Sequence, residues 1–149
     1  MSEGRADSAG QTSVFLASSR EFCPVTVSVT AQLAAVGWIQ PNPWTDHFRP
    51  GRLVFPELIR ALDENTYAVI VLGAEDLTQS RGVQQISTRE NLWLESGLFM
   101  GRYGLEHTFL LYPEDEKPKW PSDLDGATSC TYRWDPGHAP EVTKACHAI

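Results

Sequence analysis

The sequence predicts a doubly wound α/β domain, in which helices cover both faces of a five-stranded parallel sheet with strand order 2-1-3-4-5. Two observations predict this fold. Short, unbroken runs of apolar and β-branched residues recur along the chain, as in strands that are buried on both faces. Segments with helical spacing of apolar residues alternate with these runs, and such alternation builds right-handed βαβ units.

The start of the chain supplies the first strand. Residues 1 to 12 are small and polar, so we expect a flexible leader there and a single domain over residues 13 to 149. A chain of 149 residues is about one domain by size. Val14 to Ala17 is an unbroken apolar run that ends at Ser18-Ser19, which predicts strand one.

A helix and a weak strand are predicted next. Apolar residues at helical spacing indicate a helix from Val25 to Val36, and Gly37 ends it. Trp38 to Gln40 indicates a weak second strand. The prolines within residues 41 to 43 keep the backbone extended or turned, and Trp44 to Arg52 is predicted to be a loop.

The middle of the chain carries the strongest strand signal. Leu53 to Asn65 has apolar residues on one helical face, so we predict a helix there. Tyr67 to Gly73 is unbroken, β-branched and apolar, which predicts strand three. The polar stretch from Gln79 to Thr88 is predicted to be a loop.

The last third of the chain completes the pattern. Arg89 to Tyr103 has helical periodicity, and His107 to Tyr112 predicts strand four. A loop rich in proline and charge is expected over Pro113 to Asp125, with strand five over Thr128 to Trp134. Pro140 then opens a final helix, and the given sequence stops within it or just after it. We therefore expect either that this sequence is a fragment of a longer protein or that a partner lies on another chain.

Composition limits the possible partners. The formal net charge is −7, with no block of Lys or Arg, which argues against nucleic acid, although a few arginines at one site still suit a small anionic ligand. The three cysteines, Cys23, Cys130 and Cys146, have no metal-ligand spacing, so we expect reduced thiols and no metal site. The longest apolar run, Tyr67 to Ala74, is too short for a membrane helix. We therefore expect a cytoplasmic protein.

The predicted topology places a ligand crevice. In doubly wound sheets, ligands bind beyond the carboxyl ends of the strands where the strand order reverses, which is here between strands one and three. Two segments follow those strand ends, Ser18-Ser19-Arg20 and Gly73-Ala74-Glu75-Asp76. We expect both segments to border the crevice.

A single carboxylate, Glu95, interrupts the apolar helix that follows strand three. At 100° per residue, Asn91, Glu95 and Arg102 share one narrow stripe, so Asn91 and Arg102 are expected to be the nearest polar neighbours and to help set the charge of Glu95. Two interpretations remain open. In the first, Glu95 is a structural residue that reaches solvent at the helix edge or pairs with Arg102 or Arg89. In the second, Glu95 is partly desolvated at the crevice, and its negative charge is used in function.

The serines and glycines near Glu95 and the predicted crevice also allow structural interpretations. Ser18 and Ser19 would donate hydroxyl and backbone N–H groups to a phosphate at a helix N-terminus, or they form an ordinary turn and cap. Gly97 and Gly101 each lower helix propensity by roughly 1 kcal/mol relative to Ala. We expect them to allow close packing of this helix against a neighbour.

Aromatic and cationic residues supply further candidate contacts. Trp44 and Phe48 would stack on a base or ring, or else cover the edge of the core. Arg81 and Arg89 would hold a diphosphate by bidentate contact, or else be solvated.

Six segments together carry a resemblance to a known family. They are Val14 to Ser19, Tyr67 to Asp76, Ser80 to Gly82, Arg89 to Arg102, Leu111 to Pro113 and Pro121 to Leu124. In this order they resemble the bacterial TIR-like domain, a family once described as predicted nucleotide-binding. That family supplies effector domains to cyclic-nucleotide anti-phage (CBASS) systems, including fusions to STING. The resemblance covers about residues 13 to 135.

The resemblance implies a flavodoxin-like TIR fold and an NAD+ nucleosidase. Glu95 would be the catalytic glutamate, NAD+ the substrate rather than a cofactor, and TIR–TIR self-association the switch, with the Trp44 to Arg52 region near the subunit contact. A cyclic-nucleotide sensor domain would lie on the same longer chain or on a partner. The alternative is an inactive TIR-type adaptor that only self-associates. Nine residues are expected to bind substrate: Ser18, Ser19, Arg20, Trp44, Phe48, Asp76, Arg81, Arg89 and Asn91.

Overall fold

The computed structural model describes residues 10–46, 51, 53–88 and 90–149. It confirms the predicted architecture, a five-stranded parallel sheet with helices on both faces. The elements are β1 Thr12–Ser18, α1 Cys23–Ala34, β2 Ile39–Pro43, α2 Val54–Glu64, β3 Tyr67–Val71, β4 Asp76–Ser80, β5 Val83–Ser87, α3 Glu90–Tyr103, β6 Thr108–Pro113, β7 Thr128–Tyr132 and α4 Thr143–Ala148. The sheet order is β2-β1-β3-β6-β7, which is 2-1-3-4-5 when only its own strands are counted.

The alternation of side chains along the central strands builds two core layers. On β1, Val14 and Leu16 point to the layer that contains α1 and α4, while Phe15 and Ala17 point to the layer that contains α2 and α3. All four side chains are at most 2% exposed. Both faces of β1 are therefore buried, as its unbroken apolar run predicted.

The second strand runs farther than predicted. It covers Ile39–Pro43 rather than Trp38 to Gln40, and it pairs only with β1, so it is an edge strand. Proline has no N–H for a second neighbour, which is why a strand with two prolines is tolerated at an edge. At its start, the Thr12 N–H donates to the Trp38 carbonyl at 2.8 Å. The sheet thus begins at Thr12, inside the stretch that was predicted to be a leader.

The predicted loop over Gln79 to Thr88 is wrong, because β4 and β5 form an antiparallel hairpin there. Ser80 pairs with Val83, which leaves Arg81 and Gly82 as a two-residue turn. Both turn residues have positive φ, 51° and 77°. This backbone matches the twist of the flanking strands and is typical of tight hairpins.

The helix α3 buries one face and exposes its glycines. Leu92 and Phe99 lie in the core, and Phe99 stacks on Phe15 with a ring centroid distance of 5.3 Å. Gly97 and Gly101 are exposed, and no atom of the described residues lies within 4 Å of a Cβ built on either. The prediction that they allow close helix packing is wrong, since they lie on the opposite side from the apolar face.

No helix in the described part of the chain combines the length and apolar character that crossing a bilayer requires.

Candidate active site

A cavity of about 360 Å³ lies beyond the carboxyl end of β1. This is the predicted position, because β1 pairs with β2 on one side and β3 on the other, and the strand order reverses between β1 and β3. The volume is in the range of small-molecule sites. The described residues that line it are Ser18, Ser19, Arg20, Glu21, Trp44, Val54, Asn91, Leu92 and Glu95.

Three separate parts of the chain supply the polar and aromatic residues of this cavity. The β1–α1 turn supplies the serines and Arg20, the segment after β2 supplies Trp44, and the first turns of α3 supply Asn91 and Glu95. Asn91 and Glu95 are one helical turn apart, so both side chains face the same way. Five of the predicted substrate-binding residues are thus gathered around Glu95.

Glu95 is held in a desolvated position. Burial raises the pKa of its carboxyl from 4.5 to about 7, because leaving water disfavours the charged form. Its Oε2 atom is inaccessible to solvent and has no hydrogen-bond partner among the described residues. Buried polar atoms are nearly always paired in native structures. An exception beside a cavity suggests a partner that binds there.

The apolar face of α3 keeps Glu95 at the wall of the cavity. Leu92, one turn before Glu95, is 3% exposed, and Phe99, one turn after it, is fully buried. The adjacent Ser96 is also fully buried, and its hydroxyl donates to the Leu92 carbonyl at 2.7 Å. The helix therefore cannot rotate Glu95 toward water without exposing this core face.

Arg102 does not set the charge of Glu95. Its guanidinium pairs with Asp63 of α2, with 2.9 Å between Nη2 and Oδ1. Within the described part of the chain, burial accounts for the raised pKa of Glu95, and Arg102 makes no contribution to it. The expectation that Arg102 sets this charge is wrong, since sharing a helical stripe does not bring together side chains two turns apart. The proposed Glu95–Arg89 pair involves a residue that lies outside the described residues.

Both hydroxyl protons of the Ser18-Ser19 turn already take part in hydrogen bonds within the protein. The Ser18 hydroxyl donates to the Ser19 carbonyl at 2.9 Å, and the Ser19 hydroxyl donates to the carboxylate of Glu75, which follows β3. The expected donation of these hydroxyls to a phosphate would have to displace both bonds. As folded, each hydroxyl offers a ligand its lone pairs.

Three lining residues, Glu21, Val54 and Leu92, were not among the predicted site residues. Glu21 follows Arg20 directly, so its place after the first strand was a usable signal. Val54 begins α2, and only the tertiary structure brings it to the cavity.

The other predicted contacts are not brought to the cavity by the described structure. Arg81 lies exposed at the β4–β5 turn and is not a lining residue. Asp76 is the first residue of β4, and only its backbone is described. Phe48 and Arg89 lie outside the described residues. Their substrate contacts stay predictions.

No metal cluster is found in the described ranges, where no group of three or more His, Cys, Asp or Glu side chains is placed to hold an ion. The three cysteines are free thiols.

The model of one protein family, the CAP12/Pycsar effector protein TIR domain, matches residues 13–133. The chain belongs to this TIR family. The match runs from β1 through β7 and includes every described residue that lines the cavity. The candidate site is therefore part of the family domain itself.

Similar curated proteins come from several bacteria. The Pycsar effector protein XpPycTIR of Xanthomonas perforans is 36% identical over 135 residues, which is 89% of this chain and 45% of the relative. The Pycsar effector protein BcPycTIR of Burkholderia cepacia is 35% identical over 94 residues, 62% of this chain and 31% of the relative. CD-NTase-associated protein 12 of Sphingobacterium faecium is 32% identical over 107 residues, 72% of this chain and 32% of the relative. The chain spans less than half the length of each.

Proposed function

We propose that this TIR domain cleaves NAD+ between nicotinamide and ribose, with Glu95 as the catalytic carboxylate. One observation carries the proposal: a carboxylate with a pKa of about 7 lies at a cavity of small-molecule size, and one of its oxygens is buried without a partner among the described residues. Perturbed carboxylates of this kind concentrate at functional sites.

The chemistry explains why a single carboxylate suffices. Glycosidases commonly need a second carboxyl group to protonate an alkoxide leaving group. Nicotinamide is positively charged in NAD+ and leaves as a neutral molecule with the bonding electrons, so no general acid is required. Positive charge then develops on the ribose, and a desolvated carboxylate stabilises it strongly. Water adds to the ribose and loses a proton, giving nicotinamide, ADP-ribose and H+; addition of the adenine instead would give a cyclic product.

The other lining residues fit the rest of the substrate. Arg20 lies at the same cavity and would pair with the pyrophosphate. Trp44 offers an aromatic face, and Asn91 offers an amide for ribose hydroxyls. Asp76, Arg81, Phe48 and Arg89 remain proposed contacts without a place at the described cavity.

Self-association would complete the site. The start of α2 exposes three consecutive apolar side chains, Leu53 (78% exposed), Val54 (62%) and Phe55 (53%). Val54 also lines the cavity, so a second copy that covered this surface would close the cavity mouth. Excluding water would strengthen every electrostatic interaction of Glu95. We propose that assembly in this way activates the domain.

The relatives indicate the biological setting. They are described as Pycsar effector proteins and as CD-NTase-associated proteins, and they are more than twice as long as this chain. We propose that the domain acts as an anti-phage effector that depletes cytoplasmic NAD+, controlled by a cyclic-nucleotide sensor on a longer chain or a partner. An inactive adaptor would use the same apolar surface, but it would have no use for the desolvated Glu95.

The proposal is tested by following nicotinamide release from NAD+ by chromatography. The wild-type chain, dilute and then fused to an oligomerising domain, is compared with Glu95→Gln. Glu64→Gln, an exposed glutamate of α2 away from the cavity, is the matched control. We expect turnover only in the assembled form, a loss of at least about 10²-fold in Glu95→Gln, and no loss in the control. Full activity of Glu95→Gln would overturn the mechanism, and no turnover in any form would favour the adaptor.

A further inference from the structure

A second, smaller cavity of about 110 Å³ lies between α1 and the segment that follows β2. Trp44 lines both this cavity and the larger one that Glu95 lines, so the two cavities share this residue as a wall. The described residues that line the smaller cavity are Cys23, Thr26, Val27, Thr30, Pro43, Trp44 and Thr45.

The chemistry of the two cavities differs. Four residues of the smaller one belong to a single face of α1, at spacings of three, four and seven residues. No charged side chain is among its described lining residues, whereas the larger cavity has Arg20, Glu21 and Glu95. The smaller cavity therefore suits a neutral group with apolar faces and polar edges.

Thr26 lines the smaller cavity, and its hydroxyl is unsatisfied among the described residues. The residue is 2% exposed, and its Oγ1 is buried without a hydrogen-bond partner among the described residues. A helical threonine can satisfy its hydroxyl by donating to the carbonyl four residues earlier. Thr30 does this, donating to the Thr26 carbonyl at 2.8 Å. The Thr26 hydroxyl is thus left with a proton to donate, and Thr30 with free lone pairs.

We infer that the smaller cavity binds the adenine ring of the dinucleotide whose nicotinamide end lies at Glu95. This inference rests on the proposed function. NAD+ has one cationic ring, which matches the carboxylate, and one neutral ring, which matches the uncharged lining of the smaller cavity. The pyrophosphate between them matches Arg20. The volume of about 110 Å³ is below the roughly 150 Å³ that encloses a benzene ring, so this cavity, beside the exposed Val27, takes the edge of a purine and leaves the rest of the bicyclic ring in solvent.

The ring edges of adenine match the two threonines. A purine ring nitrogen accepts a hydrogen bond, which Thr26 Oγ1 has free to donate. The exocyclic amine donates, and the Thr30 hydroxyl can accept it. The site thus selects adenine over a ring that has no acceptor nitrogen.

The first test separates the two ends of the substrate. Adenosine, which has no phosphate, and nicotinamide mononucleotide are titrated separately into the chain, and Kd is measured by NMR chemical-shift changes. Val27→Phe fills the smaller cavity from an exposed position, and Val36→Phe is the matched control at an exposed valine that lines neither cavity. We expect Val27→Phe to weaken adenosine binding by about tenfold or more, with nicotinamide mononucleotide binding and the control unchanged.

The second test removes the free hydroxyl at nearly constant shape. Thr26→Val should weaken adenosine binding by about fivefold, the effect of one hydrogen bond. It should leave the thermal unfolding midpoint unchanged or higher, because the hydroxyl has no hydrogen-bond partner among the described residues. A lower midpoint with unchanged adenosine binding would assign the hydroxyl a structural role and overturn the inference.

The result also distinguishes this inference from the proposed function. Wild-type adenosine affinity in Val27→Phe, or no adenosine binding by the wild type, overturns the adenine site even if NAD+ is cleaved. Where NAD+ is cleaved, Val27→Phe should raise KM and leave kcat unchanged. If adenosine binds as expected but no assembled form releases nicotinamide, the proposed function fails and the purine site stands.

Discussion

The helices α2 and α3 each bury a glutamate oxygen, but among the described residues only the glutamate of α2 has a cation beside it. Glu57 of α2 is 5% exposed, and its Oε2 lies 3.1 Å from Nη2 of Arg60. Glu95 of α3 also has a buried Oε2, and that atom has no partner among the described residues. A buried carboxylate with a cation beside it is explained by the fold alone. A carboxylate at a cavity, without a cation beside it in the described structure, is what the proposed ligand site requires.

The difference can be seen in the spacing of the two helices. Glu57 has Arg60 three residues later, which places opposite charges on the same face of α2. The corresponding positions around Glu95 hold no cation. They are Asn91, Leu92, Leu98 and Phe99. The sequence therefore places a cation one helical turn from Glu57 and none one helical turn from Glu95.

The largest expected effect is an opposite response of stability to neutralising each carboxylate. Between pH 4.5 and about 7, folded Glu95 holds a proton that the unfolded chain has lost, so stability falls as pH rises and the penalty is complete above pH 7. Glu95→Gln should therefore gain up to about 3 kcal/mol over the wild type at pH 8 and almost nothing at pH 4. Glu57→Gln should lose about 1 to 2 kcal/mol at pH 8.

Urea unfolding of the three proteins at pH 4 and pH 8 measures these differences, and comparing variants at one pH cancels the titration of other groups. If Glu95→Gln were no more stable than the wild type at pH 8, Glu95 would be paired or solvated, like an ordinary structural carboxylate.

The pH dependence of NAD+ cleavage should report the raised pKa of Glu95. In the proposed mechanism the carboxylate form of Glu95 stabilises positive charge, so kcat/KM should rise with pH through about 7. In the complex, the nicotinamide cation favours the ionised carboxylate, so kcat should rise at a lower pH than kcat/KM. Steady-state rates from pH 5 to 9 measure both profiles, with Glu64→Gln as the control variant. A kcat/KM that is flat over this range would show that Glu95 ionises normally.

The sheet and the meeting of the site residues could be predicted from the sequence, for one physical reason. Buried parallel strands are nearly continuous apolar runs, and their carboxyl ends share one edge. Ser18, Trp44 and Glu95 are far apart in sequence, yet the strand order brings the segments that carry them to one crevice.

Other features depended on interactions that no periodicity reveals. The β4–β5 hairpin needed two adjacent residues with positive φ, one of them Arg81, and a polar stretch gave no strand signal. The Ser19 hydroxyl is bound by Glu75, from a different strand end. The smaller cavity needs α1 and the end of β2 side by side, and neither segment has a ligand motif of its own.

The smallest expected effect comes from Arg102, which shares a helical stripe with Glu95 but pairs with Asp63. Both members of this pair are about half exposed, so Arg102→Ala should cost no more than about 1 kcal/mol of stability. Because burial accounts for the raised pKa of Glu95 within the described part of the chain, the pH at which kcat/KM rises should not move. The measurement is the urea midpoint together with the pH profile, and Asp63→Asn is the matched variant from the other side of the pair. A shift of that profile in Arg102→Ala but not in Asp63→Asn would show that Arg102 acts on Glu95 directly, and Glu95 would then have a cationic partner as Glu57 does.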